Sequence, residues 1–505
     1  MERVLKKHLS PELNTLNKEI NSFQPKLPIL NRKWTPKLKT KLSVWFDDFL
    51  KNYHQLVLEF DPRKLKIKDQ AVLDHKKRNP TLHLLLSEFL EKFPNDLKSI
   101  CSSCLGESSF LELKKNCQKG PTQLGEWINF YSNKIYRPPR GFIYVLESYT
   151  RSSNNSQLRV LGKKIVSQLD LYNEFMSFQI QRDLERGFKY LYSYSDSELD
   201  FQVESNSRID LESYYWKFLY ARMKVIARMH SKHKKIGFEI VLSNQKKKLP
   251  SKKFFGPREV NSGSTDYETI RIWRSEEHYK LLIHEAIHFY NLDGSYDLFD
   301  ENKGINLECT YQIGDQNETR IYEAYTESLT IFFHTFANAY QIYYLSNLEK
   351  DKKIPRTLNK KNLSEIKDLW DDLWTKEKKF AILQVAKIYH HINPSSKTFA
   401  DFLIKSEKTC QKERDDVKYK LEQRTSVLSY HFLKTTNLVF DQEFLGSISD
   451  LSNPHPKSLT KLMNYFKKLT HNSSFVQVVD SALKYIENNE KKMSKSMRMT
   501  FYDVI

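Results

Sequence analysis

Leu281-Leu282-Ile283-His284-Glu285-Ala286-Ile287-His288-Phe289 sets two histidines four residues apart, with a glutamate directly after the first, in an otherwise apolar run. A helix returns to the same side after about four residues, so both imidazoles fall on one face. Working back along the chain, Ser275 is placed to cap this helix and Glu276 and Glu277 complement its positive end. Tyr279, Leu282, Ile283, Ala286 and Ile287 supply an apolar face. Two strand-like segments precede it, 236–242 and 269–273. The loop between them contains Asn261-Ser262-Gly263-Ser264-Thr265. The fold class expected from this arrangement is α+β, predominantly helical, with a small sheet beside the histidine-bearing helix.

The H-E-x-x-H spacing suits zinc. Neutral imidazole is a good ligand for that ion, and Glu285 can take a proton from an attacking water without itself binding the metal. A catalytic zinc needs a third protein ligand. Tyr322-Glu323-Ala324-Tyr325-Thr326-Glu327 offers two glutamates four apart among Ile321, Leu329, Ile331, Phe332 and Phe333. Glu323 could complete the ligand set, and Glu327 could accept a hydrogen bond from the outward nitrogen of a ligating histidine. The plain alternatives are semi-buried histidines bonded to neighbours and a solvated glutamate pair. The apolar flanks argue against both, because ionisable groups are costly to bury without partners.

In these residues the chain resembles the gluzincin metallopeptidases, the thermolysin-like clan, in which H-E-x-x-H on one helix is completed by a glutamate of an E-x-x-x-D/E motif on the next. The resemblance covers residues 235–345. It implies a zincin-like core, Zn2+ as cofactor, and His284, His288 and Glu323 as metal ligands. It further implies Glu285 as general base and Glu327 as the carboxylate that orients a histidine. An edge strand ahead of the helix, either 269–273 or the segment before it, would bind an extended protein or peptide substrate through its main chain. Gluzincins often draw an oxyanion donor from a downstream His or Tyr. Tyr430 and His431, in Gln423-Arg424-Thr425-Ser426-Val427-Leu428-Ser429-Tyr430-His431, are the candidates, against the alternative that they simply pack between helices. No G-x-M-x-N sequence of the gluzincin aminopeptidases occurs near the helix, which tilts the expectation toward endopeptidase or carboxypeptidase action. The overall style is also similar to uncharacterised metallopeptidase-like proteins of large DNA viruses, which implies host cytoplasm or virion as the location.

At 505 residues the chain exceeds what one core usually supports. The pattern divides into an N-terminal helical region (1–120), a mixed α/β region (121–205), the zincin-like core (206–345) and a C-terminal helical region (346–505). Helix-like segments are expected at 38–60, 81–93, 213–233, 363–392, 417–438 and 459–489, with a strand at 141–149. Asp315 and Glu318 read as a capping box opening a helix to about residue 345. A basic tail closes the chain.

Lys plus Arg outnumber Asp plus Glu by 81 to 62, a formal charge of +19 that favours polyanions such as nucleic acid. The excess runs along the whole chain, as at Lys246-Lys247-Lys248, and reads more often as a solvated surface than as a binding groove. Five cysteines, Cys101, Cys104, Cys117, Cys309 and Cys410, leave one unpaired in any disulfide scheme and fit a reducing, cytoplasmic compartment. The first twenty residues carry charges throughout and lack the apolar stretch of a secretory signal. Residues 328–345 fit a buried helix better than a membrane span, so no span is expected. Two rival functions stand beside the peptidase: a catalytically inactive peptidase-like scaffold that binds nucleic acid or a protein partner through its basic surface, and a zinc hydrolase of a non-peptide bond.

Overall fold

The computed structural model describes residues 11–25, 28–31, 33–69, 88, 92–93, 153–162, 180, 188–231, 234–251, 254–265, 268–296, 310–313, 319–404, 421–423, 425–448, 456 and 458–503. The five cysteines, the strand expected at 141–149 and the Asp315/Glu318 capping box lie outside them, as does most of 81–93. The chain forms two compact units, Met1–Lys68 with Leu191–Ile505, and Asp69–Tyr190. In the second unit, Asn155 Oδ1 accepts the backbone N–H of Gln157 and of Leu158 at the start of a helical turn that buries Leu158 and Leu161.

Elements follow in the order α1 (Pro11–Ser22), α2 (Pro36–Glu59), β1 (Lys66–Asp69), β2 (Tyr190–Ser195), β3 (Leu199–Ser205), α3 (Tyr214–Met229), β4 (Ile236–Val241), β5 (Phe254–Phe255), α4 (Pro257–Val260), β6 (Gly263–Thr265), β7 (Thr269–Ile272), α5 (His278–Phe289), α6 (Ile321–Leu348), α7 (Lys360–Ile392), β8 (Glu422–Gln423), a π-helical turn (Leu428–Leu433), α8 (Lys434–Val439), α9 (Asp441–Ser447), α10 (Leu459–Thr470) and α11 (Ser473–Asn489). The protein is thus mixed α+β and mainly helical, with a mixed sheet ordered β1-β2-β3-β4-β7-β6.

Strands β3, β4 and β7 run parallel, with Phe201 opposite Phe238 and Phe238 opposite Ile270. Parallel neighbours need a crossover, and α3 makes it between β3 and β4. Side chains alternate as a half-buried sheet requires, Leu199, Phe201 and Val203 facing inward on β3 and Ile236, Phe238 and Ile240 on β4. Strand β6 turns back antiparallel to β7, Ser264 opposite Arg271, and forms the sheet's edge among the described residues. The segment before 269–273, not that strand itself, is therefore the edge.

Helix α5 packs on β6 and β7 and against α3 and α6. Helix α6 is buried on every side from Ile321 to Tyr344, its polar side chains included. Aromatic rings lock it to its neighbours, Phe336 lying 4.9 Å from Phe46 of α2 and 5.1 Å from Trp370 of α7 between ring centroids. No helix among the described residues is long and apolar enough to cross a membrane.

Four local expectations change. The helix-like 417–438 holds strand β8 at Glu422–Gln423 and turns helical only from Val427, through the π-helical turn into α8. Ser275 does not cap α5. Its hydroxyl donates to Ser243 O, and the cap position is Glu277, in the left-handed region at φ 62°. The helix-like 459–489 is two helices, because Asn472 accepts the Ser474 N–H and starts a new one. The basic tail is an interior segment. Met497, Met499, Phe501 and Tyr502 are buried, and side chains receive the backbone of this stretch: Lys434 donates to Met499 O, His334 and Asn338 to Tyr502 O, while Met499 and Thr500 donate their N–H groups to Glu277.

Candidate metal centre

Helix α5 carries His284, Glu285 and His288, and the first turn of α6 carries Glu323. His284 and His288 stand with their Nε2 atoms 3.1 Å apart. Glu323 Oε2 lies 3.2 Å from His288 Nε2 and 3.4 Å from His284 Nε2. All three residues are buried.

The other nitrogen of each ring is already engaged. His284 Nδ1 lies 2.9 Å from Glu327 Oε2, and His288 Nδ1 lies 2.6 Å from Asp293 Oδ2. A carboxylate accepts only, so each Nδ1 carries the hydrogen. In the neutral tautomers this leaves two Nε2 lone pairs and a carboxylate oxygen aimed at one another with no hydrogen between them. Only a cation, a proton or a metal ion, removes that repulsion. A tetrahedral ion with bonds of about 2.0–2.1 Å sets its ligand atoms about 3.3 Å apart, which matches the three spacings.

The outer carboxylates are themselves held. Glu327 takes both oxygens to Lys280 Nζ, at 2.9 and 2.7 Å. Asp293 Oδ2 accepts the Thr326 hydroxyl at 2.7 Å and its Oδ1 the Ser295 N–H. Asp293 reaches His288 because α5 ends abruptly. Asn291, at φ 52°, donates to His288 O while Leu292 donates to Ile287 O, and this left-handed closure folds the chain back over the last turn. Gly294, at φ 70°, completes the reversal.

Burial works against a charged imidazole, but the hydrogen bonds to Glu323 and Glu327 outweigh it and raise the His284 pKa. Asp293 and Glu323 raise that of His288 well above its usual value. Burial by itself would raise Glu323, yet the two histidines hold it below the usual carboxylate range. A proton and a metal ion are alternative occupants of the same lone pairs.

Glu285 differs from these carboxylates. Among the described residues its side chain has no hydrogen-bond or ion-pair partner, and burial, which leads the opposing effects of His284 and His288, raises its pKa. Its carboxylate stands against the backbone of β6 at Gly263.

Tyr430 and His431 part company. The π-helical turn presents Tyr430 half-buried with its ring 6.2 Å from that of His284, whereas His431 is fully buried, and burial together with the charges of Lys434 and Lys247 holds its pKa well below the usual histidine value. The structure brings Tyr430 to the cluster and leaves His431 outside it. His334 is also elsewhere, bonded to Arg222 and Tyr502 O. Residues 425 and 426 anchor the Tyr430 segment, Thr425 donating to Asn261 Oδ1 and Ser426 accepting the Arg320 N–H.

Sequence reasoning missed Asp293, in the segment that follows the histidine-bearing helix, and Lys280, which sits inside an apolar helix. An Asn followed by Asp-Gly directly after the helix was the available signal for the first. Nothing local announced the second, whose partner lies on α6. Comparison with protein-family profiles, curated proteins and solved structures finds no match for the chain.

Proposed function

We propose that the protein is a zinc-dependent peptidase of gluzincin type, with a zincin-like core built from β3, β4, β7, β6, α5 and α6. The observation that carries this reading is the convergence of His284 Nε2, His288 Nε2 and Glu323 Oε2 at tetrahedral spacing while both Nδ1 atoms are held by carboxylates. Two nitrogens and one carboxylate oxygen form the donor set of a catalytic rather than a structural zinc, and leave one position open. Zinc bound there would supply Lewis acidity toward a scissile carbonyl and make water acidic enough to lose a proton near neutral pH.

The chain's own groups supply the rest. Glu285, buried and unpaired among the described residues, takes the proton of the attacking water as the water oxygen bonds to the carbonyl carbon and the carbonyl electron pair moves to oxygen. Glu285 then returns that proton to the amine nitrogen as the C–N bond breaks. Tyr430, protonated because burial raises its pKa well above normal, donates a hydrogen bond to the developing oxyanion. Strand β6, the edge of the sheet among the described residues, is the strand beside which an extended peptide would lie, which favours a peptide over other hydrolysable bonds. The expected substrate is a protein or peptide.

Elemental analysis of the purified protein tests the reading. Near-stoichiometric zinc is expected in the parent and in Glu285→Gln, and loss of zinc in His288→Ala and Glu323→Ala. Hydrolysis of peptides should fall by about 100-fold or more in Glu285→Gln. A parent that holds no metal and takes up none on addition would overturn the proposal. Salt-sensitive nucleic-acid binding that persists in Glu285→Gln, with no hydrolysis in the parent, would point instead to the scaffold.

A further inference from the structure

We propose that Gly263 is a positioning residue for Glu285, its missing side chain being the space in which the general base stands. The inference rests on the hydrolase reading above. A Cβ at residue 263 would lie 2.7 Å from Glu285 Oε1 and 3.3 Å from Glu285 Cδ, closer than carbon and oxygen normally approach. Since Glu285 makes no hydrogen bond or ion pair among the described residues, no polar partner there fixes its carboxylate. The wall it stands against is the edge-strand backbone, reached only because residue 263 carries no side chain.

Gly263 is thus required here for close approach rather than for an unusual φ. A methyl group at this position meets the far end of a flexible glutamate, which swings out of its buried place at a cost that registers in Tm without unfolding the chain, and Arg271 O at 3.2 Å, which needs to give by only a few tenths of an ångström. The variant therefore folds, and the displacement falls on the carboxylate. The metal ligands are other side chains, His284 and His288 of α5 and Glu323 of α6, none of which the methyl group meets, so the ion's binding is left unchanged.

The test is Gly263→Ala in the zinc-loaded full chain, assayed with a mixed fluorogenic peptide library. Zinc content equal to the parent's is expected, with kcat lower by about 100-fold, the usual cost of a misplacement near 1 Å. KM should stay within about twofold, because ground-state binding is not what the methyl group removes. In a Glu285→Asp background the shorter acid leaves the methyl its room, so Gly263→Ala should cost nothing further. Unchanged kcat in Gly263→Ala, or an equal loss in both backgrounds, overturns the proposal.

Should the parent hydrolyse no peptide, the function proposed above fails, and the contact is read by melting alone. Gly263→Ala should then lower Tm more with Glu285 present than in a Glu285→Ala background. Equal shifts in the two backgrounds would show that glycine and glutamate do not meet, and would remove the positioning role as well.

Discussion

The two ends of α5 each bury a cluster of charged groups, and the clusters are wired in opposite ways. Ahead of the helix, Glu277 accepts from Lys247 Nζ at 2.7 Å and from the backbone N–H groups of Met499 and Thr500, while Glu276 accepts the Lys247 N–H and lies 3.7 Å from Arg498. Acid meets cation or donor throughout. At the other end, His284, His288 and Glu323 turn acceptor toward acceptor, with their hydrogens committed outward to Glu327 and Asp293. Burial of charge is common to both, so it does not mark a site. Lone pairs that converge in this way, with both rings neutral, are complete only around a cation, whether a proton or a metal ion.

The sharpest way to break this contrast is Lys247→Met. Removing the cation strands Glu277 in the interior, and a loss of about 3–5 kcal/mol in stability is expected from denaturant titration. The loss should be the same with and without added zinc. If zinc restores the variant, the two clusters are one system and the distinction between them collapses.

His278 stands between the clusters as the first residue of α5. Burial lowers its pKa from the ordinary histidine value to about 4. The unfolded chain therefore binds a proton below about pH 6.5 that the folded chain refuses until about pH 4, so this group's contribution to stability falls as the solution is acidified through that window. The span corresponds to about 3 kcal/mol. Stability of the metal-free protein should decline less steeply between those limits in His278→Gln than in the parent, and matching slopes would show that this histidine does not titrate as its burial demands.

The smallest effect is expected at Asp293. It touches no reacting group, but it holds His288 Nδ1, and Asp293→Ala should weaken zinc binding by about 10–100-fold in competition with a chelator. An unchanged affinity would mean that packing alone orients the His288 ring.

Much of this centre was legible in the chain. His284 and His288 announce themselves by a four-residue step in an apolar run, and Glu323 and Glu327 repeat that step where solvated glutamates are out of place. The structure puts these side chains within hydrogen-bonding distance of one another. Strands β4 and β7 and helices α3 and α7 follow from period and from local caps such as Ser213 and Asn359. What local pattern could not show is anything set by a distant partner. Ser275 looked like a cap, but Ser243 takes its hydroxyl and Glu277 takes its place. Lysines 247, 280, 378 and 434 looked like part of a solvated basic excess, whereas each is buried against an acid or a carbonyl: Glu277, Glu327, Asp441 and Met499 O. The apparent tail carried Met497, Met499, Phe501 and Tyr502, an apolar content that argued for burial and that the neighbouring lysines masked.

The docking of that last stretch has a consequence for how the protein is made. Every ligand of the proposed centre leaves the ribosome well before Met499 and Thr500, yet Glu277 at the head of α5 accepts both of their N–H groups on one carboxylate oxygen, and Lys280, which holds Glu327, rests 3.6 Å from the Met499 sulfur. A nascent chain still short of residue 500 has the ligands without the anchorage. The anchorage of α5 is therefore complete only after synthesis has passed that point, a late event in biogenesis rather than a property of the growing chain.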